Sequence, residues 1–326
     1  MIKQDFVRSY KGFSLHSLEF DPRRLKERII PSIKQIVKMR EVNGCLVIFS
    51  GQNDSYTTTN LCIEALGRDF IKIFIVSDIS AERRNQIVSE AKKHLSLKEE
   101  SQIIAMNFQK IMKQFDSIEG LIPGEATFPF IQKRQKELGY ILLRSQVAHK
   151  FVEEKTFTHV GKTQSEQEDF FRKVLAYSKV RKRLMILLAY HLAERENLLL
   201  VSKTNKSEFL TGLFTTFGYG HGGDIAPIGD LYRTQVLEMA DYLDVPQHIR
   251  SLAYSDIMPG VNNKYQYFFE LESRTVDEIL VRLDAGLLPV QIAKVLDLNI
   301  DLVERVNQFF QVAKFQKTVP FIPKID

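Results

Sequence analysis

One segment constrains this chain more than any other. The unbroken apolar run Gly44-Cys45-Leu46-Val47-Ile48-Phe49 gives way at once to the polar Ser50-Gly51-Gln52-Asn53-Asp54-Ser55. A run that is apolar at every position needs cover on both faces, which points to a strand in a parallel sheet flanked by helices. Thr57 to Leu66 then carries helical spacing, Phe70 to Val76 is a second buried run, and Ala81 to Leu95 a further helix. Strand, loop, helix, strand is a βαβ unit, so the expected fold class is α/β: a doubly wound, mainly parallel, Rossmann-like sheet with helices on both faces.

The remaining pattern fits that frame. An amphipathic helix is expected from Asp21 to Met39, a third strand at Gln102 to Met106, and a helix at Phe108 to Phe115. Periodicity fades between about residues 120 and 170, which reads as an insertion or lid. It returns in a helix at Glu168 to Arg195, a strand at Asn197 to Val201, a Gly-rich loop from Gly212 to Gly229 and a helix at Tyr232 to Leu243. Helices near Thr275 to Leu283, Pro289 to Leu296 and Asp301 to Lys314 form a C-terminal helical segment at about 274–326. The whole, 1–326, reads as a single domain.

Several function classes recede on composition. The 45 Lys+Arg and 40 Asp+Glu residues are interspersed, a balance that suits an anionic small ligand and gives no basic block for nucleic acid. Leu287 to Phe309 has helix-turn-helix spacing, but its second helix carries Asp301 and Glu304 beside only Arg305, so it reads as structural packing. The two cysteines, Cys45 and Cys62, lack metal-ligand spacing and read as core filler in a reducing compartment. No stretch has the length to span a bilayer and Met1 to Tyr10 has no hydrophobic signal core, so the expected location is cytoplasmic, with no membrane partner.

The chemistry concentrates after the predicted strands. Ser50 to Ser55 opens a helix, where backbone N–H groups and the positive helix end can cradle a pyrophosphate, with the Ser50 and Ser55 hydroxyls adding hydrogen bonds. Asp54 has the chemistry to ligate the Mg²⁺ that accompanies a nucleotide; a plain strand-to-helix turn capped by Asp54 or Ser55 is the alternative. A second segment, Ser202-Lys203-Thr204-Asn205-Lys206-Ser207-Glu208, also follows a predicted strand, and Asp224-Ile225-Ala226-Pro227-Ile228-Gly229-Asp230-Leu231-Tyr232-Arg233-Thr234-Gln235-Val236 comes after it. His191 sits on a mainly apolar helix and reads as a core or interface residue, while His221 has no identifiable orienting partner for a general base.

With Ser50-Gly51 and Asp54-Ser55 preceding Asn205 to Glu208 and Asp224 to Val236, the chain closely resembles the ammonia-dependent NAD synthases, over about residues 20–115 and 170–320. The resemblance implies ATP-dependent amidation of nicotinic acid adenine dinucleotide by ammonia through an adenylated carboxylate, releasing AMP and pyrophosphate. It assigns the nucleotide to Ser50, Gly51, Gln52, Asn53, Asp54, Ser55, Thr204 and Asp224, and Mg²⁺ to Asp54 and Glu208. Arg233, Lys203 and Arg181 are assigned to the reacting phosphates. It also implies a homodimer, with Val174 to Leu192 as the candidate interface. The segment before Gly44 is too short for a fused glutaminase, so ammonia is expected free or from a separate protein.

The chain departs from that family's pattern at defined positions. Gln52 replaces a loop glycine, Ser202 a glycine and Lys203 a threonine. Arg233 stands where a lysine is usual, which keeps the charge and changes its reach. Thr216 replaces a lysine and Tyr219 an aspartate, and the polar loop Pro-Gly-Gln-Thr-Asp-Glu reads Pro259-Gly260-Val261-Asn262-Asn263-Lys264. Three readings follow: an NAD synthase, an amide ligase of the same mechanism on a different carboxylic acid, and a silent relative with a structural or regulatory role.

Overall fold

The computed structural model describes residues 18–77, 81–116, 164–218, 220–251 and 263–317. The first helix, α1 (Pro22–Met39), starts where Asp21 accepts a hydrogen bond from Arg23 N at 3.0 Å, with Pro22 supplying a fixed φ in the first turn. It leads into β1 (Cys45–Ile48), α2 (Asn53–Leu66), β2 (Ile71–Ser77), α3 (Ala81–Leu95), the short α4 (Glu99–Gln102), β3 (Ile103–Asn107) and α5 (Phe108–Asp116). The chain continues as α6 (Gln164–Arg195), β4 (Leu199–Val201), α7 (Lys206–Thr211), α8 (Arg233–Tyr242) and α9 (Gln247–Arg250).

The four strands lie parallel in the order β3-β2-β1-β4. Val47 stands opposite Ile73, Cys45 opposite Leu199, and Ile73 opposite Ile103. Strand alternation divides the apolar run between two cores. Cys45, Val47, Ile71, Ile73, Leu199 and Val201 face α1, α2, α3 and α8, while Leu46, Ile48, Phe74 and Leu200 face α5 and α6. Helices therefore cover both faces, and the doubly wound α/β class read from the sequence is the observed one. The order places β2 and β3 on one side of β1 and β4 on the other, so the order of strand addition reverses at β1/β4. In open α/β sheets ligands bind outside the carboxyl ends of the strands at that reversal.

Four further helices, α10 (Lys264–Phe269), α11 (Ser273–Asp284), α12 (Pro289–Leu296) and α13 (Ile300–Lys317), build a third core with Leu210 of α7 and Tyr232. Ile292, Val303, Val306 and Phe309, inside the helix-turn-helix spacing, are buried in it. The helical segment thus begins ten residues before the expected boundary, at Lys264.

Other differences have local causes. α2 begins at Asn53 instead of Thr57, because three polar residues, Asn53, Asp54 and Ser55, occupy its first turn and hide the apolar period. His191 is exposed on α6, so it is not a core residue; the face that packs on the sheet carries Ile186, Ala189 and Leu192. Leu187 of the same helix is 62% exposed. Cys45 and Cys62 are free and buried. Of the segment at 120–170 only its end, from Gln164 in α6, falls among the described residues. No described helix is long and apolar enough to cross a membrane.

Candidate active site

The loop after β1 turns sharply enough to need glycine. Gly51 has φ +74°, and a Cβ there would lie 2.9 Å from Ile87 Cγ1. Gln52, which follows, caps α2 with φ −100° and ψ 169°, an extended conformation open to any residue, so the backbone does not demand glycine at this position. Ser55 is fully buried and its hydroxyl donates to Gln52 O at 2.7 Å, with Ser50 Oγ at 3.4 Å. Beside them the Asn53 side chain is only 2% exposed, and neither its amide nitrogen nor its oxygen has a hydrogen-bond partner among the described residues. Burying an unpaired amide is costly, which marks this first turn as a place that a polar ligand or water completes.

Asp54, one residue on, is buried, and its Oδ1 accepts from Arg233 Nη1 at 2.8 Å and from Asn205 Nδ2 at 3.3 Å. Burial pushes its carboxyl upward, but Arg233, Lys264, Lys203 and the Asn205 hydrogen bond more than offset that and hold it below the ordinary aspartate value. Asn205 caps α7: its side chain accepts from Glu208 N, and Glu208 Oε2 accepts from Asn205 N at 3.2 Å. Glu208 is ion-paired with Lys264, whose ammonium is nearly buried at the start of α10. Asp54 follows β1 and Glu208 follows β4, so the cluster lies beyond the carboxyl ends of the two strands at the reversal of strand order.

The structure thus brings together Asp54, Glu208, Arg233 and Lys203 from the sequence reading. It adds three side chains that reading passed over as site residues: Asn205, Lys264 and Lys182. Asn205 was visible as an N-cap preceding a glutamate three residues on, whereas Lys264 stood out only as the end of a loop that departs from the family's pattern. On α6 it is Lys182 whose charge acts with Glu208, while burial is the influence on Arg181 and brings it down to about 10. Arg183 donates to Thr216 O at 3.3 Å and so ties α6 to the Gly-rich loop.

Two assignments fall differently. Asp224 is engaged at the sheet edge, where Oδ2 accepts from Leu200 N at 2.8 Å and Oδ1 lies 4.0 Å from Arg40, at the end of α1. The side chain thereby extends the hydrogen bonding of β4. Thr204 is buried and donates to Gly220 O, holding the Gly-rich loop from beneath. His221 stacks on Phe214 at 4.9 Å, and its Nδ1 accepts from Phe217 N at 3.2 Å, so that nitrogen is committed to the loop. Tyr219 and Pro259 to Asn262 lie outside the described residues, whereas Asn263 caps α10 by accepting from Tyr265 N at 2.9 Å.

The expected Mg²⁺ pair meets an arrangement that does not fit a divalent ion as it stands. Each of the two carboxylates already holds a cation of this chain, Arg233 on Asp54 and Lys264 on Glu208. Among the described residues no group of three or more His, Cys, Asp and Glu side chains could hold a metal ion.

Lys182 makes the site sensitive to alkali. Burial, with Arg181 and Lys179 nearby, lowers its pKa from 10.5 to about 8, against the opposing pull of Glu208. Between these values the unfolded chain binds the extra proton, so stability due to this residue rises with pH across that window. Urea midpoints at intervals from pH 7 to pH 10 are expected to climb more steeply in the parent than in Lys182→Met; parallel profiles would refute this assignment.

The NAD synthase family model matches residues 141–320. The NH(3)-dependent NAD(+) synthetase of Thermotoga maritima is 29% identical over 301 residues, covering 91% of this chain and 98% of that protein. The NH(3)-dependent NAD(+) synthetase of Methanocaldococcus jannaschii is 25% identical over 305 residues, covering 91% and 95%. Among solved structures, an NMN synthetase from Francisella tularensis aligns with TM-score 0.62 at 17% identity, over 94% of this chain and 100% of that one. The NH3-dependent NAD synthetase from Campylobacter jejuni, in complex with the nitrate ion, aligns with TM-score 0.61 at 18% identity, over the same shares.

Proposed function

Because the chain belongs to the NAD synthase family, we propose that it is an ATP-dependent amide ligase that adenylates the carboxylate of nicotinic acid adenine dinucleotide and amidates it with ammonia. The observation that carries the reading is the meeting of Asp54, from the turn after β1, with Arg233 of α8 and Asn205 of α7 at the β1/β4 reversal.

A carboxylate is a poor electrophile. In the proposed reaction its oxygen attacks the α-phosphorus of ATP, forming a mixed anhydride with AMP as the bond to pyrophosphate breaks. Ammonia then attacks the acyl carbon, AMP leaves with the bonding pair, and the amide remains after loss of a proton. The departing pyrophosphate gathers negative charge, and fixed cations aimed at developing charge are the largest single device an active site has. Arg233, Lys203 and Lys182 supply such charge here, beside the N-terminal turn of α2 and an Asn53 amide that has no hydrogen-bond partner among the described residues. The two carboxylates hold the cations in place: Asp54 orients Arg233, and Glu208 orients Lys264.

We place the reaction in the cytoplasm and in a homodimer, for which exposed Leu187 on α6 is a candidate contact. AMP formation is the measurement that tests the reading. AMP is expected when ATP, nicotinic acid adenine dinucleotide and ammonia are combined, and Asp54→Ala is expected to reduce it by about two orders of magnitude or more. Nicotinic acid mononucleotide belongs in the same assay, since one fold neighbour is named for making the corresponding amide. Turnover with that acid alone would keep the chemistry and change the substrate. ATP binding without turnover on either acid would move the reading to another carboxylic acid, and absence of ATP binding would leave a silent relative.

A further inference from the structure

The arrangement of charge around Glu208 bears on how this site handles polyphosphate. The geometry points to Lys264 acting as a built-in cation in place of a divalent ion, so that the pyrophosphate of a nucleotide is held by Lys264, Arg233 and Lys203 without a metal bridge to Asp54 and Glu208. The inference deepens the nucleotide reading of this site and rests on it.

Three observations carry it. First, the Lys264 ammonium is ion-paired with Glu208 and only 6% of the residue is exposed, so it belongs to the interior of the site. Handing Glu208 to a metal ion would set that ion and the Lys264 ammonium, two cations, side by side in the interior of the site. Second, the chain places a cation of its own, Lys264, against Glu208 at the end of the segment Pro259 to Lys264. An ammonium beside a carboxylate supplies the positive charge that a bound cation would supply there. Third, Asp54 is committed in the same way, with Arg233 Nη1 at 2.8 Å and Asn205 Nδ2 at 3.3 Å on the same oxygen. Mg²⁺ requires near-octahedral oxygen ligands at short range and loses its water reluctantly, so an oxygen already shared by two donors is a poor ligand for it. An ammonium or guanidinium asks less of the geometry and is supplied by the chain itself.

Positioning of Lys264 is built into the fold. Asn263, the residue before it, caps α10 through Tyr265 N and donates to Ser273 Oγ at 3.3 Å. The ring of Tyr265 lies 5.2 Å from the Lys264 ammonium, and it is fully buried in the third core. The cation is thus fixed to the helical segment and reaches Glu208 from outside the sheet.

Calorimetric titration of the full chain with inorganic pyrophosphate and with ATP, once in excess EDTA and once in excess MgCl₂, tests this directly. Dissociation constants in the two buffers are expected to agree within about threefold, and Lys264→Glu is expected to weaken binding in EDTA at least about tenfold while Mg²⁺ restores it. Binding that requires Mg²⁺ by about tenfold or more in the unaltered chain would overturn the inference and leave the nucleotide reading intact. Lys264→Glu binding in EDTA as tightly as the parent would also overturn it. Absence of binding in both buffers would remove the nucleotide reading and this inference together. The two titrations of the parent decide by themselves should the variant fail to fold.

Discussion

Replacing Arg233 by methionine is expected to lower the rate of AMP formation by about two to three orders of magnitude, the usual effect of deleting one fixed charge from a preorganised site. The guanidinium donates to Asp54 Oδ1 at 2.8 Å, and Arg233 is the strongest positive influence on a buried carboxylate that burial alone would drive toward protonation. Without it Asp54 rises in pKa, Asn205 keeps one hydrogen bond to it, and the phosphate loop loses a cation. Arg233→Lys is the informative partner variant. Lysine keeps the charge but not the planar fork, so retention of activity within about tenfold would assign the role to charge, and a loss matching methionine would assign it to geometry. Steady-state AMP release with saturating substrates separates these, and a methionine variant within about threefold of the parent would remove Arg233 from the machinery.

Asp277→Ala is expected to destabilise the chain by about 3–5 kcal/mol, since it leaves three buried neutral donors unpaired at roughly 1–3 kcal/mol each. Asp277 is fully buried on α11 and accepts from three donors: Ser207 Oγ at 2.5 Å, and Thr234 N and Thr234 Oγ1 at 2.8 Å each. Burial pushes its carboxyl upward, and these hydrogen bonds work against that. Ser207 Oγ in turn accepts from Arg233 N at 2.8 Å, so one carboxylate ties the start of α7 and the start of α8 to the helical segment. Two of the groups involved are first-turn amides of α8, which lack partners inside the helix and whose positive end favours an anion. Alanine would strand all three donors in the interior. Urea unfolding should show the lower midpoint with an unchanged slope, and AMP formation should fall as well because Arg233 loses its anchor. A midpoint unchanged from the parent would refute the network's structural role.

The site was legible in the sequence where chemistry and local pattern coincide. β1 and its loop could be read because an apolar run covered on both faces ends in a polar turn, and Gly51 does occupy a conformation suited to glycine. Asp54, Glu208 and Arg233 could be placed because each lies in a recognisable string, and the structure assembles all three. Asp224 lies in an equally strong string, and its hydrogen bond to Leu200 N was not legible there, since a motif does not record which of its side chains meets a strand edge. Which of Arg181 and Lys182 feels the charge of Glu208 depends on helix phase: neighbours differ by about 100° around the axis, and the packing of α6 on the sheet sets that phase.

By itself the amino-acid order determined the layer architecture, through runs of apolar residues with periods of two and 3.6, and the chemical types available after each strand. Tertiary structure decided which charges share a pair. Asp54 and Arg233 are 179 residues apart, Glu208 and Lys264 are 56 apart, and Ser207 and Asp277 are 70 apart. The physical reason is that such pairs are fixed by the packing of whole elements: strand order brings the turns after β1 and β4 side by side, and the third core carries α10 and α11 onto them.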